Sequence, residues 1–360
     1  MQNTSENDWS GLRVLVTGDT GFTGSWLSRS LLARGATVGG FSLPPSADSY
    51  REIIPDGFPR LTRQVKNENS AFGDIRNLEE LETYAKSFDP DVVVHLAAEA
   101  QVLEGYRSPF KTFSVNALGT LNILEVVRKL PRARVTLIVT TDKVYRQLSN
   151  VRKAFVESDS LWGSDPYSAS KVCAEQIVAS YRESFFSATN QKVFVARAGN
   201  IVGGGDWSKD RLLPDLMRSL LSGLPCRIRM PGSVRPWGHV GEVVGGYLRA
   251  IDELLQDGEP FESVNFGPRP GEVVTVEEFV AIVRGVIPEI PAPIFGVESP
   301  ALKEELHLEL DTTESERLLS YSYKLSPTDA IELASHWYLD ALNGADPATL
   351  LDADLRKVGH

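Results

Sequence analysis

The feature that most constrains this chain is Gly18-Asp19-Thr20-Gly21-Phe22-Thr23-Gly24, set between a β-branched, apolar run at 13–17 and a helical pattern at 23–33. A short apolar run that ends in a Gly-x-x-Gly-x-x-Gly turn reads as a buried strand passing into a helix. Backbone approaches a bulky anion at a helix N-terminus closely only where side chains are missing, and Gly18, Gly21 and Gly24 remove them in that turn. In this setting the spacing predicts a seat for the pyrophosphate of a dinucleotide.

The rest of the first half keeps the same rhythm. Further strand-like runs fall at 36–41, 92–96, 135–140 and 193–197, and helical patterns at 78–87, 109–128 and 166–185. Strands apolar on both faces and alternating with helices predict an α/β fold, a Rossmann-type doubly wound parallel sheet. After Arg197 the texture changes to Gly203-Gly204-Gly205, frequent prolines and shorter elements, which predicts a smaller C-terminal substrate-binding region. The reading divides the chain into an NAD(P)-binding domain at 1–198 with a return near 238–268, a substrate-binding region at 199–345 and a tail at 346–360.

Composition excludes several roles. A net charge of −11 over 360 residues opposes a protein that coats nucleic acid or an anionic membrane. No window approaches the roughly 18 apolar residues of a membrane span, and residues 1–10 lack the apolar run of a signal peptide, so a cytoplasmic protein is expected. The two cysteines, Cys173 and Cys226, lack zinc-site spacing, so they are expected to be packed thiols and no metal is expected.

Two more clusters carry chemistry. Tyr167 and Lys171, in Tyr167-Ser168-Ala169-Ser170-Lys171, share one helical face, where an ammonium would lower the phenol's pKa and make Tyr167 a base. Thr141, Asp142 and Lys143 follow a predicted strand, at the end where open α/β sheets place ligands. Thr141 would bond the same substrate oxygen as Tyr167, while Asp142 and Lys143, read as pointing to opposite faces, form a candidate acid and base. Asn116, inside a long helical pattern where Asn is a poor former, suggests a backbone or water-relay role. Asp74, after a probable third strand, would hold an adenine amino group. The acid expected at the end of the second strand is absent from Gly39-Gly40-Phe41-Ser42, so nothing there repels a 2′-phosphate; the cofactor is read as NAD, with NADP left open.

With these motifs in hand, the chain from about residue 11 to about 340 resembles the extended short-chain dehydrogenase/reductases, and within them the nucleotide-sugar 4,6-dehydratases of the CDP-linked branch. The resemblance lies in Gly21-Phe22-Thr23-Gly24-Ser25-Trp26-Leu27, Thr141-Asp142-Lys143, Asp165-Pro166-Tyr167-Ser168-Ala169-Ser170-Lys171, Gly203-Gly204-Gly205-Asp206-Trp207 and Arg235-Pro236-Trp237-Gly238-His239-Val240. It implies catalysis by Thr141, Asp142, Lys143, Tyr167 and Lys171. The same resemblance implies that the cofactor is held by Gly18, Thr20, Gly21, Phe22, Gly24, Asp74, Ile75, Leu96, Ala97, Ala98 and Asn116 together with Tyr167 and Lys171. It also implies substrate contacts from Glu99, Asn200, Arg211, Arg229 and Arg235, a redox-neutral loss of water from a nucleotide-diphosphate sugar, and a homodimer paired through the helices at 109–128 and 166–185. The chain departs from the family pattern at Glu99-Ala100-Gln101-Val102-Leu103, which normally lines the sugar pocket with an arginine, and at Asp19 and Thr23, where His and Lys are usual. Epimerisation of a nucleotide sugar, or a non-catalytic dinucleotide-binding role, stays open.

Overall fold

The computed structural model describes residues 8–44, 69–147, 153–296 and 307–359. Its centre is β1 (Arg13–Thr17), where successive side chains enter opposite cores. Val14 and Val16 join a cluster with Trp26, Leu27 and Val244, whereas Leu15 joins one with Leu81, Ile123 and Val178. That double burial is why the run lacks polar alternation.

Around β1 stand β2 (Thr37–Ser42), β3 (Ala71–Phe72), β4 (Val92–His95), β5 (Val135–Val139), β6 (Lys192–Ala198) and β7 (Ser263–Phe266). All seven are parallel, in the order β7-β6-β5-β4-β1-β2-β3. Chain direction across the sheet reverses between β1 and β4, which opens a crevice at the carboxyl ends of those strands.

One face carries α1 (Phe22–Ala33) and the later helix Val240–Leu255; the other carries Leu78–Phe88, the helical run at 109–127 and Pro166–Tyr181. Helix Val240–Leu255 and β7 return the chain to the sheet after the smaller region. Residues 346–360, read as a tail, include helix Pro347–Val358, whose Leu351, Leu355 and Val358 are buried and whose Asp352 pairs with Arg29 at 2.6 Å.

Several elements differ from the sequence reading in detail. The run at 109–128 is interrupted by a π turn, Ser114–Leu118, in which the Gly119 N–H donates to the Ser114 carbonyl. The wider turn carries Asn116, whose side chain is bonded within the protein, and the Thr120 hydroxyl takes the Asn116 carbonyl at 2.7 Å. A short helix, Val102–Arg107, occupies a stretch read as loop. Cys226 is half-buried and packs against the main core, as a packed thiol would, whereas Cys173 is exposed on the outward side of helix Pro166–Tyr181 and is not the packed thiol expected. Among the described residues, no helix is long and apolar enough to cross a membrane, and no group of three His, Cys, Asp or Glu is placed to hold a metal.

Candidate active site

The glycine turn folds as its composition requires. Gly18 takes φ +78°, donates to the Phe41 carbonyl at 3.0 Å, and lies so close to the β4 exit that a Cβ would fall 2.8 Å from the Ala97 nitrogen. A Cβ on Gly24 would fall 2.0 Å from the Gly18 carbonyl oxygen. The Thr17 hydroxyl steadies this junction by accepting from the Ala97 N–H at 3.3 Å and bonding His95 Nδ1 at 2.7 Å. Burial pushes His95 down to about 3, so its ring is neutral. Gly21 caps α1 without a side-chain hydrogen bond, and the first turn holds no acid. Neither the cap nor the first turn supplies a carboxylate to the opening N–H groups, and the turn fits a dinucleotide pyrophosphate.

Across the crevice, Asp165 caps helix Pro166–Tyr181 by accepting from the Tyr167 and Ser168 N–H groups at 2.8 and 3.1 Å. One turn past Lys171, Glu175 forms a buried pair with Arg197 of β6, with Arg197 Nε 2.9 Å from Oε1, and accepts from the Thr140 hydroxyl at 2.7 Å. These bonds lock the helix to the ends of β5 and β6, so that Tyr167 lies beside Thr141 and Asp142 and Lys171 meets the end of β5.

The hydroxyl of Thr141 lies beside the phenol of Tyr167, near enough to favour its ionised form. Burial pushes Tyr167 up to about 12, opposed chiefly by the Arg211 guanidinium and then by Thr141. Lys171 does not supply the lowering expected from sequence. Its Nζ donates to the Val139 carbonyl at 3.1 Å, and burial holds its own pKa down at about 8, with Glu175 opposing. That ammonium is engaged by a strand carbonyl, and it is not among the groups that bear most on the phenol's pKa.

Asp142 is buried, and burial raises its pKa, with Lys143 the largest opposing influence. Its Oδ1 accepts from Thr141 at 2.9 Å, while Oδ2 has no hydrogen-bond partner among the described residues. The expectation that Asp142 and Lys143 point to opposite faces of a strand fails, because β5 has ended and Asp142–Val144 forms a 3-10 turn. Lys143 consequently bears on Asp142 directly.

A single cleft of about 550 Å3 gathers most of the anticipated residues. Gly18, Gly21, Phe22, Gly24, Leu96 and Ala98 line it from the cofactor set, Thr141, Asp142, Lys143, Tyr167 and Lys171 from the catalytic set, and Glu99, Asn200, Arg211, Arg229 and Arg235 from the substrate set. Five residues lie off that lining. Thr20 bonds toward Ser42 and Leu43, Asp74 pairs with Arg76, and Ile75 packs beneath Gly119. Ala97 abuts Gly18, and the Asn116 side chain bonds the Glu99 backbone and the Ser170 hydroxyl. Glu99 pairs with Lys111 at 2.8 Å, which offsets the charge that the altered loop introduces. One residue escaped the sequence reading: Tyr247 lines the cleft fully buried with its hydroxyl unpartnered among the described residues. Asp19, a departure from the family pattern, is buried beside the end of β2. Tyr247 sat inside an ordinary amphipathic helix, with no spacing to mark it.

A crevice that joins a dinucleotide seat to a Thr, Tyr and Lys set defines an enzyme working on a hydroxyl with a bound nicotinamide. Residues 14–267 match the NAD dependent epimerase/dehydratase family. The chain is 36% identical over 348 residues to CDP-glucose 4,6-dehydratase of Salmonella typhimurium, covering 95% of this chain and 94% of that protein. It is 27% identical over 301 residues to dTDP-glucose 4,6-dehydratase of Neisseria meningitidis, covering 79% and 80%. The solved UDP-glucose 4-epimerase of Thermus thermophilus, in complex with NAD, matches with a TM-score of 0.75 at 25% identity, over 93% of this chain and 100% of that one. The chain belongs to the NAD dependent epimerase/dehydratase family.

Proposed function

We propose that this protein is a nucleotide-sugar 4,6-dehydratase that converts CDP-glucose to CDP-4-dehydro-6-deoxyglucose and water. The observation that carries the reading is Asp142, a buried carboxyl with a raised pKa and an oxygen unpartnered among the described residues, within electrostatic reach of Tyr167 in the cleft. Inversion at C4 has no use for such an acid; departure of a C6 hydroxyl does. The likeness to the Salmonella CDP-glucose enzyme across nearly the whole chain supports the same choice.

NAD, when bound, supplies a reversible hydride store, drawn from C4 of the sugar and returned at C6. Tyr167 takes the C4 hydroxyl proton while Thr141 bonds the same oxygen, and the resulting 4-ketone acidifies C5. Lys143 takes the C5 proton, and Asp142 protonates the departing C6 hydroxyl, which leaves as water. With hydride added at C6, C5 recovers a proton and the deoxy sugar is complete. Arg211, Arg229 and Arg235 supply the local positive charge that a diphosphate needs on a chain of net charge −11. Gly18, Gly21 and Gly24 with the start of α1 would hold the dinucleotide, and Lys171 its nicotinamide end.

We assign the enzyme to the cytoplasm as a homodimer. Both ligands are multiply charged and stay in the compartment that makes them. Phe110, Leu118 and Phe185, which are 86%, 42% and 48% exposed, give the run at 109–127 and the end of the helix opened by Pro166 an apolar face suited to a second copy.

The test offers purified enzyme a panel of nucleotide-glucoses and follows products by mass spectrometry. Loss of one water from CDP-glucose is expected. An isomer of unchanged mass would replace the reading with epimerisation, and bound dinucleotide without any product would replace it with a non-catalytic role.

A further inference from the structure

The acid that usually bonds the adenosine ribose stands at the end of the second strand, and Gly39-Gly40-Phe41-Ser42 has none. A carboxylate reaches the same place from the glycine turn. Asp19 is 7% exposed, and it accepts a hydrogen bond from the Ser42 hydroxyl at the last residue of β2 and another from the Ser70 hydroxyl at 3.2 Å, just before β3. A Cβ on Gly40 would fall 1.9 Å from Asp19 Oδ2, so the missing side chain on β2 is what admits this carboxylate. The Gly18 N–H clamps the turn to the Phe41 carbonyl at 3.0 Å, and the Thr20 N–H reaches Ser42 Oγ at 3.4 Å. Turn and strand end thus share one network with an acid at its centre.

We propose that Asp19 makes the dinucleotide seat select NAD over NADP, replacing the acid absent from β2. The Ser42 and Ser70 hydroxyls and the N–H groups of Asp19 and Thr20 bear on the carboxylate's acceptor positions, so what it presents to the adenosine end of the seat is its charge. The two serine hydroxyls favour the ionised form against burial, which raises the Asp19 pKa. A second anion, the 2′-phosphate of NADP, would face an anchored negative charge in a partly dehydrated site, where like charges are strongly penalised. This assignment rests on the proposed dinucleotide seat and goes beyond it by naming what discriminates at its adenosine end.

The test titrates cofactor-stripped protein with NADH and with NADPH, reading nicotinamide fluorescence, so that affinity and not turnover is measured. Wild type should bind NADH tighter by on the order of 10- to 100-fold. Asp19→Asn keeps the side chain's shape while removing its charge, and Asp19→Ser removes the carboxyl altogether. Both should bring the two affinities to within about threefold, mainly by strengthening NADPH. Melting curves and circular dichroism report whether each variant folds, and either folded variant suffices. Wild type that binds the two cofactors equally, or a folded variant that keeps the wild-type ratio, overturns the role of Asp19. Wild type that binds neither would instead remove the dinucleotide seat itself.

Discussion

The side-chain amide of Asn116 holds the backbone of Glu99 in both directions, with Oδ1 accepting from its N–H at 2.8 Å and Nδ2 donating to its carbonyl at 3.0 Å. The same Nδ2 donates to the Ser170 hydroxyl at 2.8 Å, on the helix that carries Tyr167 and Lys171. One buried amide therefore sets the distance between the altered loop at 99–103 and the catalytic helix.

Asn116→Ala leaves the Glu99 backbone groups and Ser170 without that partner. A loss of about 1–3 kcal/mol in stability is expected from denaturant unfolding. Because the loop lines the cleft, KM for the sugar nucleotide should rise and kcat fall. NADH affinity should change less than twofold, roughly, since the glycine turn is untouched. Equal loss of both affinities would mean the amide merely supports the fold.

Lys171 links catalysis to stability with a definite sign. Its pKa is about 8 in the folded protein against an ordinary 10.5, so the folded state favours the neutral amine. Below about pH 8 this burial costs stability, and the cost is relieved as pH rises from about 8 to 10.5. Lys171→Met should therefore melt above wild type at pH 7, by on the order of 1 kcal/mol, with the gap shrinking in alkali. Turnover should fall by roughly 100-fold or more. A variant that is both inactive and less stable at neutral pH would contradict this account.

The sheet was legible because burial on both faces leaves a plain mark: runs such as Val92-Val93-Val94 have few other uses. Glycines and the Tyr167/Lys171 spacing were legible for the same reason, since backbone approach and a shared helical face demand particular residues at particular intervals. What the sequence hid came from contacts across the fold. Nothing local says that Asp19 will meet Ser70, 51 residues away, or that Lys171 will turn to the Val139 carbonyl. The 3-10 turn at Asp142 was hidden too, because a strand's last residue and the first turn after it share the same polar composition.

Lys143 separates the two halves of the proposed reaction. Lys143→Ala removes the proposed C5 base and also the largest influence holding Asp142 down, so the Asp142 pKa should rise further. Oxidation at C4 uses Thr141, Tyr167, Lys171 and the bound nicotinamide, and has no use for Lys143. Enzyme mixed with CDP-glucose in a single turnover should accumulate reduced nicotinamide absorbance, while water loss slows by about 100- to 10,000-fold. Normal turnover in this variant would remove Lys143 from the chemistry.

Glu242 gives the fold a pH dependence separate from catalysis. Its Oε1 accepts from the backbone N–H groups of Lys324 and, at 3.0 Å, Leu325, while Oε2 is buried without a partner among the described residues. Burial raises its pKa from 4.5 to about 7, so the folded state binds the proton more tightly than the unfolded chain does. The resulting stability is complete below pH 4.5 and is lost as pH rises through about 7, with a ceiling of roughly 3 kcal/mol. Asp354, raised to about 6 by burial, acts in the same direction, so the informative quantity is the difference between wild type and a variant. Glu242→Gln keeps an acceptor for the two N–H groups and cannot ionise. Its melting temperature relative to wild type should climb between pH 5 and pH 8 and level off above, as expected for one titrating carboxyl. Parallel curves for the two proteins across that range would show that Glu242 titrates normally and that water reaches Oε2.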